Sequence, residues 1–309
     1  QSLTQSIQQK IEEDQKGAPG RVSESNLLKS QVDDVYYKTF NINKFLVKEF
    51  KGSLKAWVIP PEKLAFGKVI ASGSTCSVFE GTYMKIPVAI KKLKTDVKVD
   101  EEALRKSDAK KEKTPKFLKE LKREIGLLIS LPNHPNLLTI LGFNIHEEHV
   151  NIVTEFCHGG TMFDILYKRA HRVNLSFQQQ VKILMDICRG MMFLHSLEKK
   201  VIHRDLKSLN IFISNPIRKN SLNFQIKIAD FGLARNFDND SEFVTKRMGT
   251  FHWMAPEIFS DHPYTTKTDV YAFAIIMWEG FAGRTPYYDL GKPEKSIKHV
   301  YYDDKRPSL

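Results

Sequence analysis

Apolar runs and their spacing divide the chain into two textures that meet near Cys157 to Gly160. From Trp57 onward, β-branched runs punctuated by glycine, Leu64 to Ile70, Ser77 to Gly81 and Pro87 to Leu93, predict consecutive antiparallel strands. Leu137 to Leu141 and Asn151 to Phe156 predict two more. Between the two sets, Phe117, Leu121, Ile125 and Leu128 recur at helical spacing, so a helix with one apolar face is expected. A charged connection, Thr95 to Lys116, precedes it and reads as a mobile loop.

Beyond Gly160 helical periodicity takes over. Val181, Leu184, Ile187, Met191 and Leu194 mark a long helix, and Phe224 to Ile228 alternates as a strand should. Asp269 to Glu279 is apolar nearly all round, which predicts a helix buried inside the second half. The order implies an α+β protein of two lobes, 57–157 built mainly from strands and 158–309 mainly from helices. A cleft between lobes is a favoured place for a small ligand. Residues 1–56 begin polar and gain only scattered apolar positions, such as Leu27, Phe40 and Phe50, so they read as a solvated flanking segment. No internal repeat is evident.

Composition narrows the partners. At 309 residues and 41% hydrophobic content the chain can bury a substantial core. Cys76, Cys157 and Cys188 show no C-x-x-C spacing, which argues against a disulfide framework or a zinc site and for a reducing compartment. No apolar run approaches the roughly 18 residues of a membrane span, and no signal sequence opens the chain, so a cytoplasmic location is expected. The net charge of +11 raises nucleic acid as a partner. Much of the basic charge, however, sits in Lys94 to Lys122 among interleaved acids, without the aromatic residues of a base-stacking platform, so none is expected. Gln1 at the start and Leu309 inside a motif suggest a piece of a longer polypeptide.

Four features bear on phosphoryl transfer, which needs positioning and charge neutralisation more than covalent chemistry. His203-Arg204-Asp205-Leu206-Lys207-Ser208-Leu209-Asn210 is an H-R-D-x-K-x-x-N string. In it Asp205 is suited to orient or accept a hydroxyl proton, Lys207 to neutralise a transferring phosphoryl group, and Asn210 to bind Mg2+ through its amide oxygen. Asp230-Phe231-Gly232 follows at the end of the Phe224 to Ile228 strand, giving Asp230 as a second metal ligand. Val88-Ala89-Ile90-Lys91 puts a lysine on a strand, where it can reach the phosphates of ATP. Its carboxylate partner is expected to be Glu124, with Glu120 one turn earlier as the alternative. Finally, Ile70-Ala71-Ser72-Gly73-Ser74-Thr75-Cys76-Ser77-Val78 occupies the place of G-x-G-x-x-G-x-V with only its middle glycine kept. Ala71 and Cys76 are small enough for backbone amides to approach phosphate, but their Cβ atoms restrict the backbone, so weakened ATP binding is expected.

On these motifs, with the lead-in Trp57 to Pro61 and the segment Gly249-Thr250-Phe251-His252-Trp253-Met254-Ala255-Pro256-Glu257, the chain from Trp57 onward resembles a protein kinase domain. Within that superfamily it is similar to the tyrosine-kinase-like group that contains the Raf and mixed-lineage kinases. The resemblance implies a small antiparallel sheet with one helix, a mainly helical second lobe, and last helices that would follow Leu309. It also implies that Thr154 is the gatekeeper, that the backbone of Glu155 and Cys157 binds adenine, and that Ile70, Val78, Ala89 and Phe212 sandwich the ring. Arg204 would grip a phosphorylated Ser241 or Thr245, placed there by an upstream activating kinase. Lys207 and Thr250 point to serine or threonine hydroxyls of protein substrates, with dual specificity as a neighbouring alternative. The arginine that pairs with Glu257 in the family would lie beyond Leu309. The rival reading is a pseudokinase scaffold, suggested by the thinned glycine loop and opposed by Lys91, Asp205, Asn210 and Asp230.

Overall fold

The computed structural model describes residues 53–73, 76–93, 116–146, 149–230, 235–236, 251–259, 265–290, 300 and 302–308. The first described segment, a short 3-10 turn at Ser53–Trp57, leads into β1 (Leu64–Ser72), β2 (Cys76–Tyr83) and β3 (Ile86–Leu93). Helix α1 (Lys116–Ser130) follows, then β4 (Ile140–His146) and β5 (His149–Glu155). These five strands form one antiparallel sheet in the order β1-β2-β3-β5-β4. On β3, Val88 and Ile90 are buried on one face, as period-two alternation requires, and Lys91 falls on the other face with the buried Leu93. Two register shifts interrupt β1 between Phe66 and Ala71.

The rest is mainly helical: α2 (Met162–Tyr167), α3 (Phe177–Ser196) and α4 (Thr266–Ala282), with the short pairs β6 (Val201–Ile202) with β9 (Arg235–Asn236) and β7 (Ile211–Ile213) with β8 (Ile226–Ile228). Both α2 and α3 start in capping boxes, Thr161 with Asp164 and Ser176 with Gln179, so the first free backbone amides of each helix are satisfied locally. Gly283, at φ 61°, ends α4 by donating to the Glu279 carbonyl at 3.0 Å. The α1 apolar face is as expected, with Leu121, Ile125 and Leu128 buried, and it joins β4, β5, α3 and α4 in one core.

Four expectations need correction. The strand expected at Leu137 to Leu141 begins at Ile140 and runs on to His146. Leu137 instead bridges Ile228, and the turn before it clamps β8: Leu138 N–H donates to Ile228 O at 2.8 Å and Ile228 N–H to Asn136 O at 2.9 Å. In α3 the inward residues are Ile183, Asp186, Ile187, Gly190, Met191 and Leu194, with Val181 and Leu184 only half-buried. Gly190 sets that rotation, because a Cβ there would stand 2.7 Å from Ile228 Cδ1, so this face lies directly on β8. Phe224 to Ile228 is a strand only at Ile226–Ile228, and its Lys227 is buried where alternation had put it outward. Helix α4 is not buried all round, since Val270, Met277 and Phe281 are exposed. Ser74, Thr75, Phe231, Gly232, Ser241, Thr245, Gly249, Thr250, residues 1–52 and the connection 94–115 lie outside the described residues.

Candidate active site

Three elements bring charge to one place. β3 presents Lys91 opposite Val78 of β2 and Ile152 of β5. α1 presents Glu124 at the border of its buried face, and Lys91 Nζ lies 3.4 Å from Glu124 Oε1. From the other half of the molecule, Asp230 Oδ1 lies 3.1 Å from the same Nζ. Glu120 belongs to α1 but its side chain is not among those described. Burial opposes the charge on Lys91, and the carboxylates of Asp230 and Glu124 outweigh it, holding the ammonium above the usual lysine range. Burial likewise pushes the Asp230 carboxyl up, but Lys91 beside it wins and keeps it below the usual carboxylate range.

The loop 203–210 is braced from below. Asp269, near the start of α4 and 2% exposed, accepts the backbone N–H of His203 at 2.9 Å, that of Arg204 at 3.0 Å and the ring of His195 at 2.8 Å. Its fixed carboxylate holds Arg204 at φ 68°, in the left-handed region that non-glycine residues rarely adopt. His203 then bonds Ala229 O through Nε2 at 3.0 Å, and Ala229 N–H donates to Asn210 O at 3.0 Å. These two bonds tie the loop to the residue immediately before Asp230, itself at φ 65°. Within the loop, Lys207 Nζ reaches Asp205 Oδ2 at 2.7 Å, and Asn210 Nδ2 donates to Asp205 O and Oδ2 at 2.8 and 3.1 Å.

At the junction of the two halves, Thr154 is 8% exposed and donates its hydroxyl to Glu155 O at 3.1 Å. The Glu155 side chain, not singled out in the sequence for itself, pairs with the buried Lys227 at 2.9 Å and accepts Thr139 N–H at 2.7 Å, so the junction is tied to β8 and through it to Asp230. Burial, then the neighbouring Glu155, push the Cys157 thiol up to about 12, against the opposing pull of Lys227, so it is a neutral thiol at physiological pH. Of the residues expected around adenine, Val78, Ala89, Cys157 and Phe212 are half-buried and Ile70 is exposed. In the thinned loop, Gly73 N–H donates to Cys76 O at 2.9 Å and Ser72 Oγ meets Ser77 Oγ at 3.1 Å, closing the β1–β2 turn on itself. A cavity of about 360 Å³ lined by Phe177, Val181, Met185 and Leu222 contains none of the residues expected at the nucleotide.

The sequence reading missed Glu279, at the far end of α4. It is fully buried and accepts from Ser208 Oγ at 2.7 Å, Tyr167 OH at 3.0 Å and Trp253 Nε1 at 3.0 Å. Burial pushes its carboxyl up to about 7, with the three donated bonds opposing that rise. A charged residue at each end of an otherwise apolar stretch, Asp269 and Glu279, was the available signal.

Such a bilobal α+β arrangement, with a lysine of the strand lobe meeting an aspartate of the helical lobe, is that of a protein kinase domain. The model of the protein tyrosine and serine/threonine kinase family matches residues 64–308, and the chain belongs to that family. It is 37% identical over 242 residues to the RGS domain-containing serine/threonine-protein kinase A of Dictyostelium discoideum, covering 78% of this chain and 19% of that protein. It is 36% identical over 253 residues to the serine/threonine-protein kinase STY46 of Arabidopsis thaliana, covering 82% of this chain and 39% of the relative. STY17 of the same plant is 33% identical over 253 residues, with coverage of 82% and 39%. The chain thus spans well under half the length of these relatives. Among the described residues no helix is long and apolar enough to cross a membrane.

Proposed function

We propose that the chain is the catalytic domain of an ATP-dependent protein kinase that phosphorylates serine or threonine in protein substrates. The observation that carries this reading is the meeting of Lys91 with Glu124 at 3.4 Å and Asp230 at 3.1 Å across the two lobes. Lys91, kept protonated by its two carboxylates, supplies a fixed cation for the phosphates of ATP. Asn210 spends its amide nitrogen on Asp205, which leaves its oxygen to serve with Asp230 as a hard, oxygen-only donor pair suited to Mg2+. When bound, Mg2+ neutralises phosphate charge. Asp205, held by Lys207 and Asn210, orients the attacking hydroxyl and takes its proton, while Lys207 faces the charge that develops on the transferring group.

The choice of serine or threonine rests on Lys207 and on the names of the relatives. We assign 57–157 and 158–309 to the two lobes, 1–56 to a flanking segment and the site to the cytoplasm. The glycine-poor segment Ile70 to Val78 covers the phosphates, Ile70, Val78, Ala89 and Phe212 hold the ring, and Thr154, Glu155 and Cys157 line the junction. Ser241 and Thr245 are the proposed sites for an upstream activating kinase. The pseudokinase reading draws on the loop, where only Gly73 remains to supply glycine freedom.

Radiolabelled phosphate transfer from ATP and Mg2+ to a generic protein substrate separates the two. Asp230→Asn is expected to lower the rate at least ~100-fold, as loss of one preorganised electrostatic group does. Equal, negligible transfer by both proteins would leave the scaffold reading standing.

A further inference from the structure

One face of α3 is apolar and open to solvent. Phe177, Val181, Met185, Cys188 and Met192 recur along it at helical spacing; Phe177, Met185 and Met192 are exposed, and Val181 and Cys188 half-buried. The first three, with the exposed Leu222 from the loop before β8, wall a cavity of about 360 Å³. Its far wall is fixed, because the buried Gln179 of α3 donates to Arg218 O at 2.9 Å and to Ser221 O at 3.0 Å and so holds that loop against the helix. The rim is basic. Lys182 and Arg189 share the buried Asp186 at 2.7 and 3.2 Å, which leaves one positive charge over, and Arg218 and Lys219 are exposed on the loop of Leu222.

A preformed apolar trough of this shape suits one face of an amphipathic segment, and its rim calls for acidic neighbours. The first 52 residues, which lie outside the described ones, contain such a segment. Leu28, Val32, Val35 and Tyr36 recur at i, i+4, i+7 and i+8, the spacing of one helical face, with Asp33 and Asp34 between them. Phe45 to Phe50 is more apolar, but Lys44, Lys48 and Lys51 would bring like charge to Lys182 and Arg189. Reach favours the chain's own segment too. Trp57, at the end of the first described turn, walls a small cavity with residues of the 131–140 stretch, whose His134 ring stacks on Phe193 of α3 with centroids 4.6 Å apart. The chain therefore enters the fold beside the Met192 end of the apolar face. Residues 38–52 extend up to about 50 Å, against about 23 Å from Phe177 to Met192. We propose that residues 28–37 of this chain dock in cis along the outer face of α3, with Val32 and Val35 against Met185 and Leu222 and with Asp33 and Asp34 at the basic rim. The tether supplies an effective concentration on the order of millimolar, so a contact too small to join two molecules is enough to hold the segment.

Backbone hydrogen exchange of the whole chain, followed by mass spectrometry, tests this. Amides of residues 28–37 are expected to exchange at least about tenfold more slowly than those of an unstructured chain, and at the same rate after tenfold dilution of the protein. Met185→Glu and Leu222→Asp each put negative charge where Val32, Asp33 and Asp34 would lie, and each is expected to abolish the protection. Both positions are about half exposed, at 47% and 48%, so the fold tolerates the change. Val32→Glu, which leaves α3 untouched, is expected to do the same from the other side. A wild-type segment without protection, or protection that survives both Met185→Glu and Leu222→Asp, overturns the proposal. Protection that falls on dilution would give the trough to a second copy of the chain, and protection confined to 44–51 would give it to the basic stretch; either result overturns docking of 28–37 in cis. No phosphate transfer enters the readout, so it stands whichever way the kinase assay falls.

Discussion

Lys91 and Asp230 keep 27% and 42% of their side chains exposed and meet across the lobes, whereas Asp269 and Glu279, ten residues apart on α4, are exposed by 2% and 0% and each accept three hydrogen bonds from other segments. The first pair is left partly open, so its charges can be handed to a ligand. The second pair is closed, and its charges are used up in holding backbone and side chains where the first pair needs them. Both sets are charged, yet only the closed set should register in the stability of the empty protein, because exposed ion pairs are screened by water and buried ones are not.

Removing Asp269 tests this most severely. Asp269→Ala strands two backbone N–H groups and a histidine in the interior, and a loss of about 3–5 kcal/mol is expected in denaturant unfolding. Glu279 gives the pH signature. Its folded carboxyl titrates near 7, above the ordinary glutamate value, so the native state binds the extra proton between about pH 4.5 and 7. Its contribution to stability is therefore fully present below that window and is lost as pH rises through 7, by about 3 kcal/mol for this group. The difference in slope between wild type and Glu279→Gln across that range measures it. A flat difference would show that the carboxylate is less closed than its burial implies.

For the open pair, Lys91→Met is expected to lower phosphoryl transfer ~100-fold while moving the unfolding free energy by less than about 1 kcal/mol. A large loss of stability would erase the contrast between the two sets. Glu124→Gln keeps the shape but removes the charge beside Lys91, and about a tenfold fall in kcat/KM is expected. At the bottom of the scale, Ser176→Ala removes the α3 cap, far from either set, and about 1 kcal/mol of stability should go with no change in KM for ATP.

The open set was largely legible before any fold was known, and the closed set was not. Asp205, Lys207 and Asn210 lie within six consecutive residues and Asp230 ends a strand, so contiguity announced them. Glu124 was named as a carboxylate of the helix that follows the Lys91 strand, with Glu120 one turn earlier as the alternative. The closed set depends on pairs distant in the chain: Tyr167 is 112 residues from Glu279, and His195 is 74 residues from Asp269. A polar residue in an apolar stretch reads as a surface position until its partner is known, which is why neither Lys227 of β8 nor Asp186 of α3 was singled out. Asp186 is in fact buried and accepts from Lys182, Arg189 and the Ile226 backbone. The exposed apolar residues of α4 failed for a related reason: all-round hydrophobicity counts greasy positions but does not say how many sides have neighbours.

The left-handed backbone at Arg204 and Asp230 restricts what can replace them. A β-branched side chain there would incur a steric cost on top of the chemistry it removed, so Asp230→Val should be worse folded than Asp230→Asn. Glycine would fit the backbone with ease but would bring no carboxylate to Lys91. Asparagine, which tolerates this conformation and keeps one oxygen, is therefore the replacement at Asp230 that disturbs the backbone least while removing the charge.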